Sequence, residues 1–407
     1  MLARQTAGNR RNRRKGSALV KITSVNVYLV DTTGADLGPG NTWNAKTFKA
    51  HPLSLFSDYK TVNTKTWMDP AAYRPVVVEL ETDAGVTGFS INHGGGAAAA
   101  AQINSAFRQF VEGASPFDSN KIWELMFRVQ QSTDQGGIAY MAMSAIDLAL
   151  WDLRGKLLER PVYDLVGGRT KEAIHCYVTT HPTIMEHMAD KGFRGVKMSC
   201  PWGPADGREG LDNIEQMVVK ARDLFGGTAS LMIECYMGWD RDFTVKAAER
   251  LRKYEIDWIE DPLLGDAAIS SYRDLRHYIK PVQLAIGNLM WGHNRFHALI
   301  NEDGADVIQP ELMWAGGMTA ALRIAAMARA RNLPVIPHSA GVYSYHFTMS
   351  QIEAPFAEYY VPGDGLKVRA KGHAIIGEPA PDNGYITLSD APGFGIDLKR
   401  ELLQPVG

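Results

Sequence analysis

Cysteine is scarce in this 407-residue chain, with Cys176, Cys200 and Cys235 the full set. The number is odd, the spacing is wide and no CxxC pair occurs, which argues against a disulfide or zinc framework. The chain is therefore expected in a reducing compartment, the cytoplasm. No run of 18 uncharged apolar residues exists, so no membrane-spanning helix is expected. Charge of one sign is missing too. A formal net charge of −2 gives no basis for nucleic acid or an anionic membrane as partner. No GxGxxG follows the first strand pattern, which argues against an open, doubly wound dinucleotide-binding sheet. No GxSxG occurs either. The HGGG at 93–96 therefore has no serine nucleophile to serve, and it reads as a glycine turn before a helix.

What is present is an ordinary globular composition, 45% apolar and 22% charged, with length for two or three domains. The first residues carry Arg4, Arg10, Arg11, Arg13, Arg14 and Lys15 with no apolar stretch behind them, so they are not a secretory signal. Residues 1–17 are expected to be a disordered basic tail; a transit peptide or RNA-binding arm is the rival reading. KITSVNVYLV (21–30) alternates as a strand. Residues 31–60 are irregular and hold Trp43, His51 and Tyr59, the composition of a lid. Residues 75–90 predict a hairpin turning at Asp83–Ala84–Gly85. Stretches 97–112, 118–131 and 139–158 predict helices, closed by Gly167–Gly168.

From 175 onward the pattern changes to strand–helix repeats. Eight strand candidates follow: 175–180, 195–199, 230–235, 257–261, 283–288, 305–311, 333–338 and 356–360. Amphipathic stretches such as 212–225, 243–254 and 317–331 separate them. Eight short apolar strands in one alternating run predict a closed parallel barrel. After 365 the chain is polar and rich in Gly and Pro, and it is expected to return to the N-terminal domain. The division read from this pattern is a capping domain at 18–155, a barrel at 156–367 and a returning segment at 368–407.

Five strand candidates end in residues able to do chemistry: LMIE (Glu234), DWIE (Glu260), LAIGN (Asn288), DVIQPE (Glu311) and PVIPH (His338). They recur at roughly 25-residue intervals, room for a strand, a helix and two loops. Barrels of this class keep their chemistry at the C-terminal ends of their strands. One strand-end carboxylate is as readily a solvated side chain. Three oxygen-bearing residues on consecutive strands, Glu234, Glu260 and Asn288, suit a hard cation, Mg²⁺ best. Glu311 beside His338 would fix the imidazole tautomer and raise the basicity of its other nitrogen, making a general base. Lys197 ends the second strand; it is placed either to meet a substrate carboxylate or to pair with Glu234.

SAIDLALWDLRGKLLERPVYDLVGG (144–168), GVKMSCPWGP (195–204), LMIECYMGW (231–239), DWIEDPL (257–263), DVIQPELMWAGGMT (306–319), PHSAGVYSYH (337–346) and PGFGIDL (392–398) together resemble the mandelate racemase branch of the enolase superfamily. The likeness is nearest to its rhamnonate-dehydratase group, through the KMxxxWGP loop, the PHxxxVYSxH stretch and Pro355, Phe356 and Glu358 of a PFxE motif. It covers nearly all of residues 20–400.

The resemblance implies a (β/α)7β-type TIM barrel under an α+β cap drawn from both chain ends. It implies Mg²⁺ at the ends of the third, fourth and fifth strands, positions held here by Glu234, Glu260 and Asn288. It implies abstraction of the proton α to a carboxylate by a His–acid dyad, here His338 with Glu311, to give an enediolate. Lys197, Trp202, Glu358 and His51 are the substrate-binding candidates, the substrate is expected to be a small sugar acid, and the assembly is expected to be a homo-oligomer. The chain departs from the pattern in four places. Glu234 and Glu311 stand where the pattern has Asp, Asn288 stands where it has an acid, and Leu289–Met290 replace His–His. Ser199 occupies the place of the second, lysine base of the racemases. A base on one face favours elimination of a β-hydroxyl, giving a 2-keto-3-deoxy acid, or lactone cycloisomerisation. Epimerisation, and a weakly active paralogue that only binds a sugar acid, stand beside these as alternatives.

Overall fold

The computed structural model describes residues 20–32, 49–60, 74–338, 341–361 and 374–406. The expected tail at 1–17 and much of the irregular 31–60 stretch, Trp43 included, lie outside the described residues. Strands β1 (Ile22–Val30), β2 (Val76–Thr82) and β3 (Thr87–Asn92) form an antiparallel sheet. The β2–β3 hairpin turns where the sequence predicts. Gly85 sits there at φ +73°, a conformation that costs a residue without Cβ little.

Five helices follow: α1 (Gly96–Gln102), α2 (Arg108–Val111), α3 (Ser119–Val129), α4 (Gly137–Leu157) and the one-turn α5 (Val162–Leu165). The continuous helix expected over 97–112 is broken by a π-helical turn at Ile103–Phe107. There Ser105 Oγ donates to the Ala101 carbonyl at 2.7 Å, in competition with the backbone donor. Helix α4 is apolar around most of its circumference, and such a helix must be buried on several sides. Its Asp152 accepts the Phe89 and Phe394 N–H groups at 2.9 and 3.0 Å, and its Asp147 accepts the Thr319 N–H at 2.9 Å. These bonds tie the sheet, the barrel and the C-terminal segment to one helix.

Seven parallel strands then build the barrel wall: β4 (Ile174–Thr180), β5 (Gly195–Ser199), β6 (Ser230–Glu234), β7 (Trp258–Glu260), β8 (Gln283–Ile286), β9 (Val307–Ile308) and β10 (Ala357–Tyr360). Their order is β10-β4-β5-β6-β7-β8-β9. The eighth expected strand, 333–338, is present only as a parallel bridge from Val335 to Ile308. Ile336 and His338 N–H groups still donate to the Ile308 and Pro310 carbonyls. Pro334 and Pro337 bring no N–H of their own, so a full ladder cannot form there. Helices α6 (Gly207–Phe225), α7 (Arg241–Leu251), α8 (Ile269–Tyr278), α9 (Gly292–Asn301), α10 (Gly317–Ala330) and α11 (Val342–Ser350) make the later crossovers. A 3-10 turn at Met185–Met188 replaces a helix between β4 and β5.

The C-terminal segment adds β11 (Ile375–Ile376), β12 (Tyr385–Ile386), β13 (Asp397–Leu398) and β14 (Leu403–Pro405). β12 pairs with β4 of the barrel and β14 with β1 of the N-terminal sheet. Inside the barrel, Tyr177, Met232, Trp258, Ala285, Val307 and Ile336 form one apolar layer with Phe356 packed against it. This is the filled interior expected of a small parallel barrel.

Candidate active site

The functional side chains stand one step above that apolar layer. Side chains two residues apart share a strand face. Met232 therefore predicts Glu234 on the inner face, and Trp258 predicts Glu260. Val307 predicts Gln309 and Glu311, Ile336 predicts His338, and Phe356 predicts Glu358. Register agrees, because Glu234 pairs with both Ser199 and Glu260, and Lys197 pairs with Met232. Strand β8 breaks the alternation at Gly287, which sits at φ +142°; a Cβ there would come within 2.7 Å of the Phe296 ring. Asn288 follows this bend and is buried, with its Oδ1 unpartnered.

A buried lysine lies at the centre. Lys197 Nζ is 2.5 Å from Glu260, 3.1 Å from Glu358 and 3.7 Å from Glu234. Burial works against its charge, but these carboxylates outweigh burial and hold the ammonium protonated. Glu260 is also held by the Trp258 indole N–H at 3.1 Å and the Gln309 amide at 2.9 Å. Burial pushes Glu260 upward against the pull of Lys197, and Glu234 beside it adds to the rise. Glu234 goes the other way. Burial opposes its charge, yet Lys49 and Lys197 hold its carboxyl below the ordinary range. One of its oxygens accepts the Tyr236 N–H at 2.7 Å.

His338 Nδ1 lies 2.9 Å from Glu311, whose other oxygen accepts the Met313 N–H at 3.0 Å. The pairing directs Nδ1–H at Glu311 and leaves Nε2 as the nitrogen that can exchange a proton, an orientation inferred from the partner. Burial opposes charge on this ring. The Glu311 hydrogen bond and the charges of Glu358 and Glu311 overcome it and raise the imidazole to about 9. Trp314 lies beside it, with ring centroids 5.8 Å apart.

Glu234, Glu260, Glu311, His338, Lys197 and Glu358 thus share the barrel mouth, and Asn288 stands just past the end of β8. His51 and Trp202 have a different setting. His51 caps a short turn: its Nδ1 accepts the Leu53 N–H at 3.2 Å. Its backbone packs on Gly238, where a Cβ would meet His51 N at 2.7 Å. Trp202 is held through its carbonyl, which accepts the Trp239 indole N–H at 2.7 Å. Their contacts anchor the loops that rim the mouth.

Sequence reasoning passed over Lys49, Gln309 and Trp258. Gln309 and Trp258 were open to detection by alternation, two residues before Glu311 and Glu260. Lys49 stands with its Nζ 3.7 Å above the Tyr236 ring; it lies in an irregular stretch with no period to mark it.

Charge in this mouth is out of balance. Glu234, Glu260, Glu311 and Glu358 are all buried, and Lys197, Lys49 and His338 offset only part of their charge. Buried charge requires compensation. Glu234, Glu260 and His338 each offer a donor atom, all within 4.8 Å of one another, and Asn288 adds a buried carboxamide oxygen without a partner. This donor set fits a divalent cation.

Profiles of two families match the chain: "Mandelate racemase / muconate lactonizing enzyme, N-terminal domain" over residues 63–167 and "Enolase C-terminal domain-like" over 183–402. The chain belongs to the mandelate racemase/muconate lactonizing branch of the enolase superfamily. Within that branch it is 35% identical over 359 residues to the L-rhamnonate dehydratase of Saccharopolyspora erythraea, covering 87% of this chain and 90% of that protein. Two crystal structures of the Gibberella zeae rhamnonate dehydratase match with TM-scores of 0.85 and 0.86, at 32% and 31% identity, and the second is complexed with Mg. Each match covers 96% of this chain and 97% of that one. The TIM-barrel architecture read from the sequence is that of these superfamily members.

Proposed function

We propose that the chain is a Mg²⁺-dependent acid-sugar dehydratase, with L-rhamnonate the first substrate to test. The observation that carries this reading is the His338–Glu311 dyad, set beside two buried carboxylates at one barrel mouth. Similarity to L-rhamnonate dehydratases over nearly the whole chain supports it. In this reading Glu234, Glu260 and Asn288 hold the ion, and residues 18–155 with 368–407 cap a barrel of 156–367.

His338 Nε2 takes the proton α to the substrate carboxylate. Glu311 holds the ring by Nδ1 and balances the positive charge that develops. Mg²⁺, when bound, withdraws negative charge from the substrate carboxylate and so acidifies the α-proton. Lys197, already committed to Glu260, Glu358 and Glu234, holds those carboxylates in place. The proton taken by His338 passes to the departing β-hydroxyl, which leaves as water, and the enol tautomerises to the 2-keto-3-deoxy acid. Ser199 offers no second base opposite His338, which favours elimination over racemisation.

The test is incubation of purified protein with L-rhamnonate and a panel of other acid sugars, with and without Mg²⁺. Formation of a 2-keto-3-deoxy acid that stops on chelation is expected. Absence of product from every acid sugar, with Mg²⁺ bound, would favour a paralogue that only binds sugar acids. The neutral Asn288 is the feature behind that second reading.

A further inference from the structure

We propose that Glu234, Glu260 and His338 also form a ligand set for a borderline divalent ion such as Zn²⁺, with Nε2 as the nitrogen ligand, and that an ion so held blocks the base. The proposal rests on the reading above, in which Glu234 and Glu260 are metal ligands and His338 is the base.

Three observations carry it. The donor atoms of these three residues already lie within 4.8 Å of one another. Zinc bonds to nitrogen and oxygen run about 2.0–2.2 Å, so ligands of one ion sit about 3–4 Å apart, and modest side-chain rotation closes the set. Second, Glu311 occupies Nδ1 at 2.9 Å and leaves Nε2 open toward the mouth. A carboxylate on the far nitrogen is the usual outer partner of a metal-bound histidine. Third, Asn288 supplies a neutral, buried and unpartnered oxygen at the end of the next strand. Two carboxylates, an imidazole and a carboxamide make a softer set than three carboxylates. Mg²⁺ favours oxygen ligands and strict octahedral geometry, whereas Zn²⁺ takes nitrogen and oxygen in a tetrahedron.

The functional consequence follows from the lone pair. Nε2 cannot accept a substrate proton while its lone pair is bonded to an ion. Zn²⁺ would then occupy the site and inhibit, and Mg²⁺ in excess would restore turnover.

The experiment titrates Zn²⁺, Co²⁺ and Mg²⁺ singly into the wild-type protein, His338→Asn and Asn288→Glu. Co²⁺ serves as the spectroscopic probe. Wild type is expected to show the strong visible absorption of low-coordinate Co²⁺ with a nitrogen ligand, displaced by Zn²⁺. His338→Asn should lose that band and bind Zn²⁺ about 10–100-fold more weakly, with Mg²⁺ affinity held within about twofold. The retained Mg²⁺ affinity shows that the variant is folded. Asn288→Glu should raise the Mg²⁺ affinity relative to Zn²⁺. Equal Zn²⁺ affinity in wild type and His338→Asn, with no change in the Co²⁺ band, overturns the proposal and leaves the dehydratase reading standing. Failure of wild type to bind any of the three ions removes Glu234 and Glu260 as ligands, and both readings fall together.

Discussion

Two histidines from one short stretch, PHSAGVYSYH, end in opposite states. His338 follows the bridge at Val335 and opens to the barrel mouth; His346 lies inside α11 and is buried. His346 spends both ring nitrogens on backbone. Its Nδ1 accepts the Tyr163 N–H at 3.1 Å and its Nε2 faces the Phe394 carbonyl at 3.3 Å. Its ring packs between Tyr163 and Phe394. Burial drives it down to about 3, with little return from the Phe394 carbonyl. His338 is opposed by burial as well, yet Glu311 lifts it to about 9. Burial alone therefore does not decide which histidine can take a proton. The partner of the second nitrogen decides it. A carboxylate on Nδ1 with Nε2 open makes a base, whereas backbone on both nitrogens makes a structural pin.

The largest break in this comparison should come from His338→Asn. Turnover should fall about 10²–10⁴-fold, while the folded state and Mg²⁺ binding persist. Exchange of the substrate α-proton with deuterated solvent should stop as well. Undiminished exchange would place the base on another residue.

Glu311→Gln is the next step down. The amide keeps a polar partner for Nδ1 but removes the charge. Turnover should fall on the order of 10–100-fold, the range seen when an outer-shell carboxylate is lost. The midpoint of His338, followed by NMR in metal-free protein, should move down from about 9. A midpoint that does not move would mean that Glu358, also beside the ring, sets it instead.

These two residues were legible from sequence for a plain reason. Strand-end residues in a barrel repeat with the βα unit, and two-residue alternation carries the inward face up to them. Glu358, inside β10, was marked only by the PFxE motif, whereas the same logic reached Glu234 and Glu260. It stopped at Lys49, whose place over Tyr236 depends on contacts between segments far apart in sequence: Ala50 N–H bonds the Cys200 carbonyl at 2.8 Å. It also stopped at the role of His346. The motif marked that histidine, but its partners, Tyr163 and Phe394, are distant in the chain. The eighth strand was over-read for a local reason, since Pro334 and Pro337 remove the donors a ladder needs.

His346→Phe tests the structural half of the comparison. Phenylalanine fills the space between Tyr163 and Phe394 but leaves the buried Tyr163 N–H without an acceptor. An unsatisfied buried donor costs about 1–3 kcal/mol, to be read by denaturant unfolding at neutral pH. Turnover per folded molecule should be near wild type. A loss of turnover as large as that of His338→Asn would mean that α11 positions the base and the two histidines act as one unit.

The smallest effect is also the one that separates the two rings by sign. An unfolded histidine titrates near 6.5, and His346 in the folded chain titrates near 3. Between those values the unfolded state binds the extra proton. Stability from His346 is therefore full above about pH 6.5 and is lost as pH falls toward 3, at about 1.4 kcal/mol per pH unit. His338 runs the other way in metal-free protein. Its folded value near 9 lies above the unfolded one, so its contribution is full below about pH 6.5 and fades as pH rises through 9. His346→Gln, which keeps an acceptor and a donor but does not titrate, should flatten the wild-type slope between about pH 5 and 6.5. It should leave the alkaline side unchanged, where His338→Asn should flatten it. Urea unfolding of metal-free wild type and both variants across this range reads the two slopes directly. An acid-side slope of the same sign that survives in His346→Gln would remove His346 as its source. Asp147, lifted to about 6 by burial in α4, cannot supply that slope, because a raised carboxylate adds stability as pH falls through its folded value.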